Sequence, residues 1–269
     1  PFYVQLEYEY RYGALILDGA SPTLRDMRFE DINTTSVLAA NLAQPNFIGG
    51  EYVAGNDEES GVTGQAVQIY GGGTPISPMI FKDATFQSTN KGCGNRDGGR
   101  SAIWASQTFI RVETSDFAGG DFGISIRNSA GKVTNSTISV TCNGIDVNSL
   151  KAIGNTEYDV EIADNVITTT QRTPITAYSG ADVRIHNNQL AGADEGSGIA
   201  VYSSKAEIHN NDIGPIGGWN GLWLLGSFDV RAENNTISDT AREPILAGEY
   251  GTQAPSPTPA RLYLANNSI

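Results

Sequence analysis

Residues Val183-Arg-Ile-His-Asn-Asn-Gln-Leu190 and Ala206-Glu-Ile-His-Asn-Asn-Asp-Ile213 carry the same motif twice. The motif recurs at 230–237 and 262–269, an earlier relative lies at 160–167, and weaker copies extend back to residue 24. Equivalent positions of neighbouring copies lie about 23 residues apart, apart from insertions, and such a fixed interval is typical of a repeat architecture. This repeat is the feature that decides the fold.

A second apolar segment recurs in phase with the first and alternates between the two faces of a strand. In residues 123–126 and 198–201 the aliphatic side chains fall on one face, with Ser125 or Ala200 on the other. Strands that recur without a crossover helix between them must lie parallel and stack as coils about 4.8 Å apart. The Asn-Asn pairs fit corners, because Asn tolerates left-handed backbone and stacked Asn side chains form hydrogen-bonded ladders.

These segments, together with residues 21–29 and 122–129, resemble the right-handed parallel β-helix repeat proteins of the pectate-lyase-like group. The resemblance implies an all-β, right-handed parallel β-helix of about ten coils over residues 13–269, which we expect to continue beyond the last residue. Strict alternation in residues 1–12 predicts an N-terminal strand or cap. The group contains lyases, hydrolases, epimerases, tailspikes and surface proteins, so the resemblance specifies a fold and leaves the activity open.

Composition excludes several classes of partner. The 17 Lys and Arg residues against 30 Asp and Glu residues give a formal charge of −13, which repels nucleic-acid phosphates and anionic membranes. The sequence has no apolar run long enough to span a membrane, so we predict no membrane insertion. Cys93 and Cys142 fall at the same predicted corner. They either form a disulfide or remain as two free buried thiols, and the sequence does not decide between these alternatives.

The outward positions of the second strand form two predicted columns that mix aromatic, amide and charged side chains. Their aromatic members are the candidate glycan contacts: Tyr70, Trp104, Tyr178, Tyr202 and Trp223. Aromatic rings stack on sugar faces, although aromatic residues also favour strands for packing reasons alone. Insertions at 51–64 and 87–100 leave the same corner in consecutive coils, which predicts that they form the wall of a groove.

Catalysis on this fold requires paired carboxylates, or a base beside a charge. Asp121, Arg127 and Asp146 fall on adjacent coils and are the candidate catalytic residues. With Tyr178 two coils beyond Arg127, this spacing allows the four side chains to converge. The alternative is that Arg127 and Asp146 form only a diagonal surface ion pair. Asp97 and Asp121 lie in an acidic corner that predicts a calcium site, with a solvated acidic rim as the preferred alternative. No cofactor is required. The two histidines, His186 and His209, are expected to stack on the surface.

Two functions follow from these observations, and both take a polysaccharide or other glycan as partner. The first is a secreted or cell-surface β-helix module with a glycan-binding, structural or adhesive role in a larger protein, or in a homo-oligomer. The second is a secreted polysaccharide lyase, hydrolase or epimerase that works in a groove on the β-helix face. The sequence lacks the residue patterns of polygalacturonases and alginate epimerases, which favours the first function and leaves the enzyme question open.

Overall fold

A computed structural model describes residues 13–29, 35–54, 56–57, 62–88, 93, 101–148, 160–226, 229–248 and 261–269. Over these residues the chain is all β, and equivalent strands of successive coils pair in parallel to build three sheets. Two of the sheets have ten strands each, which confirms the predicted number of coils. The parallel β-helix predicted from the repeat is therefore confirmed, whereas the predicted cap at 1–12 lies outside the described residues.

Each complete coil contributes one strand to each sheet, in the order A, B, C. Sheet A contains β1 (Gly13–Asp18), β3 (Thr35–Ala40), β8 (Val67–Tyr70), β11 (Ser101–Ser106), β14 (Phe122–Arg127), β17 (Ile145–Asn148), β20 (Ile175–Tyr178), β23 (Ile199–Tyr202), β26 (Leu222–Leu225) and β29 (Ile245–Gly248). Sheet B contains β2 (Thr23–Arg25), β4 (Asn46–Ile48), β9 (Met79–Lys82), β12 (Phe109–Glu113), β15 (Ala130–Thr134), β18 (Val160–Ala163), β21 (Asp182–His186), β24 (Lys205–His209), β27 (Val230–Glu233) and β30 (Leu262–Ala265). Sheet C contains β5 (Glu51–Ala54), β10 (Thr85–Ser88), β13 (Asp116–Gly119), β16 (Thr137–Val140), β19 (Val166–Thr169), β22 (Gln189–Gly192), β25 (Asp212–Ile216) and β28 (Thr236–Ile237). A short antiparallel pair, β6 (Asn56–Asp57) and β7 (Val62–Thr63), lies outside the coils.

The core is a column of inward-facing side chains that stack from one coil to the next. In the early coils it is aromatic: the rings of Phe47 and Phe81 stack with centroids 4.5 Å apart, and those of Phe86 and Phe117 with centroids 4.7 Å apart. In later coils the same positions are aliphatic, as at the fully buried Val133 of sheet B and Ile138 of sheet C. Because parallel strands pair in register, each apolar side chain meets its own equivalent in the next coil, and this packs the interior densely.

The corner between sheets B and C uses the two residues of each Asn-Asn pair differently. The first residue, for example Asn187 with φ of 57°, is exposed and left-handed. The second residue is buried except in the last coil, where Asn267 is partly exposed. The Oδ1 atom of Asn188 accepts hydrogen bonds from the backbone N and Nδ2 of Asn165 at 3.1 and 3.0 Å. This ladder continues through Asn211, Asn235 and Asn267. The predicted Asn ladder is therefore confirmed, with one residue of each pair turning the chain and the other tying the coils together.

Two boundaries differ from the sequence interpretation. Residues 51–54 and 87–88 belong to sheet C, so the two predicted insertions begin later than expected. Sheets B and C are not distinguished by the sequence pattern, because the Asn-Asn corner divides one apparent motif into two strands.

The described part of the chain contains no helix with the length and hydropathy that a membrane span requires.

Candidate functional site

The outward face of sheet A carries a continuous column of partly exposed side chains, which we call the outer stripe. Its members pair in register from β8 to β26: Tyr70, Ser106, Arg127, Asn148, Tyr178, Tyr202 and Leu225. All seven are intermediate in exposure. Adjacent parallel strands lie about 4.8 Å apart, so the stripe runs roughly 29 Å along the axis of the β-helix. The register of this column, predicted from the repeat, is confirmed by the strand pairings.

The other outward column of sheet A is more buried than an outward position implies. Ser125 and Ala200 have no exposed surface, and Asp146 is 4% exposed. The side chain of Ser125 is covered in part by Arg127, whose Nε donates to the Ser125 Oγ at 3.1 Å. Short side chains in this column lie beneath longer neighbours, and the sequence pattern alone does not reveal such lateral covering.

The centre of the face holds four interacting polar residues, which we call the Asp146 cluster. The Oδ2 atom of Asp146 lies 3.4 Å from an Nη of Arg127 and accepts a hydrogen bond from the Tyr178 hydroxyl at 3.0 Å. The other carboxylate oxygen, Oδ1, accepts from Nδ2 of Asn143 at 3.4 Å. Consecutive coils thus bring Arg127, Asp146 and Tyr178 together, as the coil assignment in the sequence predicts.

Burial controls the protonation of this cluster. It raises the pKa of Asp146, and the opposing effects of Arg127, Tyr178 and Asn143 are smaller. Burial, together with the neighbouring Asp146 carboxylate, raises the pKa of Tyr178 to about 12. With this pKa Tyr178 stays protonated at neutral pH and serves as a hydrogen-bond donor. It does not fit the role of a general base, which needs a pKa close to the working pH.

Asp121 is not part of this cluster. It precedes the first residue of β14, whereas Arg127 ends that strand, so about 20 Å of extended chain separates the two. Asp121 is 1% exposed, and its carbonyl oxygen accepts a hydrogen bond from the backbone N of Cys142 at 2.7 Å. The expected convergence of Asp121 with Arg127 and Asp146 is therefore wrong, because residues of one strand are held apart by its length.

The described residues contain no metal-binding cluster at the acidic corner where calcium is predicted. Asp97, one of the two proposed ligands, lies outside the described residues. Among the residues that are described, no cluster of three or more His, Cys, Asp or Glu side chains has a metal-binding arrangement. Calcium binding stays a prediction for the acidic corner.

A disulfide joins Cys93 to Cys142, whose Cα atoms are 5.6 Å apart. An Nη of Arg172 donates to the carbonyl oxygen of Cys93 at 2.9 Å. Cys142 and Arg172 lie at the corner just before β17 and β20, respectively. Cys93 is therefore fastened at the corner that precedes the strands carrying Asp146 and Tyr178.

Two groups of aromatic residues lie on sheet A, one on each side of the Asp146 cluster. The first aromatic cluster is Tyr70 with Trp104, whose ring centroids are 4.7 Å apart. The second is Tyr202, Trp219 and Trp223, in which Trp223 makes edge contacts with Tyr202 at 5.3 Å and with Trp219 at 4.6 Å. Four of these residues are predicted from the strand pattern, whereas Trp219 is not, because it lies in the turn before β26 rather than on a strand.

The outward face of sheet B is a less suitable ligand site. A shallow concavity of about 670 Å³ there is lined in part by Lys205 and Arg261. These cations already pair with acids of the same surface, Lys205 with Asp182 at 2.9 Å and Arg261 with Asp229 at 3.8 Å. On another part of the face the rings of the two histidines stack in parallel with centroids 4.8 Å apart, as the sequence predicts. The charges of this surface are satisfied internally, so sheet A is the better candidate.

Comparison with known sequences settles the family. The profile described as "Right handed beta helix region" matches residues 59–213 and 152–254, which together cover most of the chain. The chain belongs to this right-handed β-helix family. No curated protein matches this chain in sequence.

Several solved β-helix structures resemble the chain. The periplasmic alginate epimerase AlgG matches with a TM-score of 0.62 at 11% identity, covering 91% of this chain and 58% of its own. A double mutant of the same epimerase matches with a TM-score of 0.62 at 14% identity, covering 87% of this chain and 57% of its own. The Dettilon tailspike protein matches with a TM-score of 0.56 at 14% identity, covering 84% of this chain and 46% of its own. The chain thus spans about half the length of these structures, and the likeness is one of fold.

Proposed function

We propose that the protein is a glycan-binding β-helix module that holds a saccharide chain against the outer stripe of sheet A. The observation that carries the proposal is the stripe itself, in which every coil from β8 to β26 presents a partly exposed side chain. Its half-buried aromatic rings offer flat apolar area to sugar faces, while Ser106 and Asn148 supply hydrogen-bonding groups for hydroxyls. Among the proteins of similar fold, the alginate epimerase acts on a polysaccharide, which supports a glycan as the class of ligand.

In this proposal the Asp146 cluster orients the stripe. The Asp146 carboxylate is 4% exposed and is engaged by Arg127, Tyr178 and Asn143. A general acid or base must come within hydrogen-bond reach of the substrate, and a carboxylate enclosed in this way does not reach a ligand on the outer face. Its role is to fix the side chains of Arg127 and Tyr178, which do lie on the stripe.

Affinity electrophoresis in gels that contain neutral or acidic polysaccharides tests the proposal. We expect retention by at least one polymer, and its loss in Tyr202→Ala, which removes a ring of the outer stripe. The matched control is Tyr263→Ala, because Tyr263 is an exposed tyrosine on sheet B. Equal loss in both variants, or retention by no polymer, contradicts binding at sheet A.

A polysaccharide lyase, hydrolase or epimerase is the second candidate. The raised pKa of Asp146 beside Arg127 favours it, because perturbed carboxyl groups concentrate at catalytic sites. The test follows chain length, absorbance of unsaturated ends and the NMR spectrum of the polymer during incubation with the protein. If one of these three measurements changes with the parent protein and does not change with Asp146→Asn, the protein is an enzyme and the binding-module proposal is wrong.

We also propose that the protein is secreted or displayed at a cell surface. The Cys93–Cys142 disulfide supports this location, because disulfides persist in oxidising compartments. Labelling of free thiols in protein taken directly from its source is the test, and two reactive cysteines would contradict the proposal.

A further inference from the structure

We infer that the ligand is a linear, neutral polysaccharide and that about six consecutive sugar residues are needed to engage both aromatic clusters of sheet A at once. This inference rests on the proposed function and adds to it a minimum length and a charge class. It comes from two observations, the spacing of the aromatic clusters and the distribution of charge between them.

The two aromatic clusters are separated by a defined number of coils. The first lies on β8 and β11, and the strand-borne members of the second lie on β23 and β26. Five strand spacings, about 24 Å, separate their centres, and the Asp146 cluster lies midway. A pyranose residue in an extended chain advances by close to one strand spacing, so one chain lying along the stripe meets successive sugars with successive coils. A chain of four residues reaches one cluster, and a chain of about six reaches both.

The charge along this path favours a neutral chain. In the seven strands of sheet A from β8 to β26 the sequence has two charged residues, Arg127 and Asp146. They pair with each other at 3.4 Å, so these strands offer no unpaired cation to hold the repeated carboxylates of a polyuronate. At one end of the path the Arg242 guanidinium lies over the Trp219 ring, 5.8 Å from the ring centroid. The formal charge of −13 on the whole chain adds a repulsion that grows with every acidic sugar.

The test measures the affinity of defined oligosaccharides from two to eight residues long. The neutral probes are β-(1→4)-linked glucose, mannose and N-acetylglucosamine and α-(1→4)-linked glucose, and the acidic probe is β-(1→4)-linked mannuronate. The three tryptophans of the chain, Trp104, Trp219 and Trp223, all belong to the two clusters, so intrinsic fluorescence reports binding at the site. We expect affinity for one neutral series to rise at least about tenfold between four and seven residues, because the second contact becomes intramolecular.

Variants that each remove part of one aromatic cluster test the cause of this step, the rise in affinity between four and seven residues. Trp104→Ala removes part of the first cluster and Trp219→Ala part of the second, and each is expected to abolish the rise in affinity between four and seven residues. Tyr263→Ala, which changes an exposed tyrosine on sheet B, is expected to keep that rise. The inference is overturned by an affinity that does not depend on length over this range, by a step that survives both variants, or by tighter binding of mannuronate at 20 mM salt. If oligomers bind without a step and Tyr202→Ala removes that binding, the proposed function stands and the length requirement falls. If no oligomer of any series binds and no polysaccharide is retained, both fail.

Discussion

The buried Asn ladder makes a prediction whose magnitude follows directly from its hydrogen bonds. The side chain of Asn188 accepts two hydrogen bonds from Asn165 and donates through Nδ2 to Oδ1 of Asn211 and to the carbonyl oxygens of Ile162 and His186. Asn188→Ala removes all of them and leaves the buried N–H of Asn165 without its side-chain acceptor. The two Nδ2 hydrogens are shared among three acceptors, so each of the five lost bonds costs about 0.5–1 kcal/mol net, and the stranded N–H adds about 1 kcal/mol. We therefore expect a loss of roughly 3.5–6 kcal/mol in the free energy of unfolding.

The neighbouring residue of the same type supplies the control. Asn187 is exposed, has φ of 57° and donates to Oδ1 of Asp164 at 3.1 Å. Glycine adopts that backbone without strain, so Asn187→Gly is expected to change the free energy of unfolding by less than about 1 kcal/mol.

Urea denaturation followed by circular dichroism measures both variants. A solenoid is able to unfold in parts, so hydrogen exchange at the Asn165 amide provides a local readout that does not depend on two-state behaviour. The reasoning is refuted if Asn188→Ala costs less than about 1.5 kcal/mol, if it costs no more than Asn187→Gly, or if exchange at Asn165 is unchanged.

Three further predictions concern the pH dependence, the disulfide and one glycine. Because burial raises the pKa of Asp146 above its ordinary 3.8, this group's contribution to stability is fully present below that pH and is lost as the pH rises through the folded-state pKa. Denaturation at pH 4 and pH 7 is therefore expected to show Asp146→Asn gaining stability relative to the parent at the higher pH, and a constant difference contradicts this. Replacing Cys93 and Cys142 together by serine opens a loop of 49 residues and is expected to cost up to about 4 kcal/mol in urea denaturation, with a loss below about 1 kcal/mol as the contrary result. Gly192 has φ of 97°, and Gly192→Ala places a Cβ against a backbone carbonyl of the preceding coil, so it is expected to cost at least about 2 kcal/mol in the same assay. The control is Gly248→Ala, whose Cβ meets one side-chain atom at 3.7 Å and which should cost under about 1 kcal/mol. Equal costs for the two glycines contradict the steric reasoning.

Much of the fold is predictable because the same pattern of apolar and polar residues recurs in nearly every coil. Each copy of the motif gives the same alternation, and parallel stacking in register is the arrangement that brings equivalent apolar positions such as Ile124 and Ile145 together. The same register places Arg127, Asp146 and Tyr178 on neighbouring coils. The prediction fails for Asp121, because residues on adjacent coils are close in space only when they occupy the same position along their strands.

The candidate site is only partly predictable, since the covering of an outward side chain depends on its neighbours. Alternation puts Ser125 and Asp146 on the outer face, and the structure shows both buried there beneath longer side chains. Trp219 escapes the pattern because a turn residue has no position in a strand, although it completes the second aromatic cluster.

The sequence by itself determined the coil, its period, the register of the outward columns and the Asn-rich corner, because these are local patterns that the chain repeats. Only the tertiary structure decided which Asn of each pair is buried, that Cys93 is bonded to a corner two coils beyond its own, and that Asp146 is enclosed while the stripe beside it stays open. Those features depend on contacts between coils and on insertions of unequal length, which the repeat does not encode. The proposed binding face therefore combines a repeated scaffold with side chains whose surroundings differ from coil to coil.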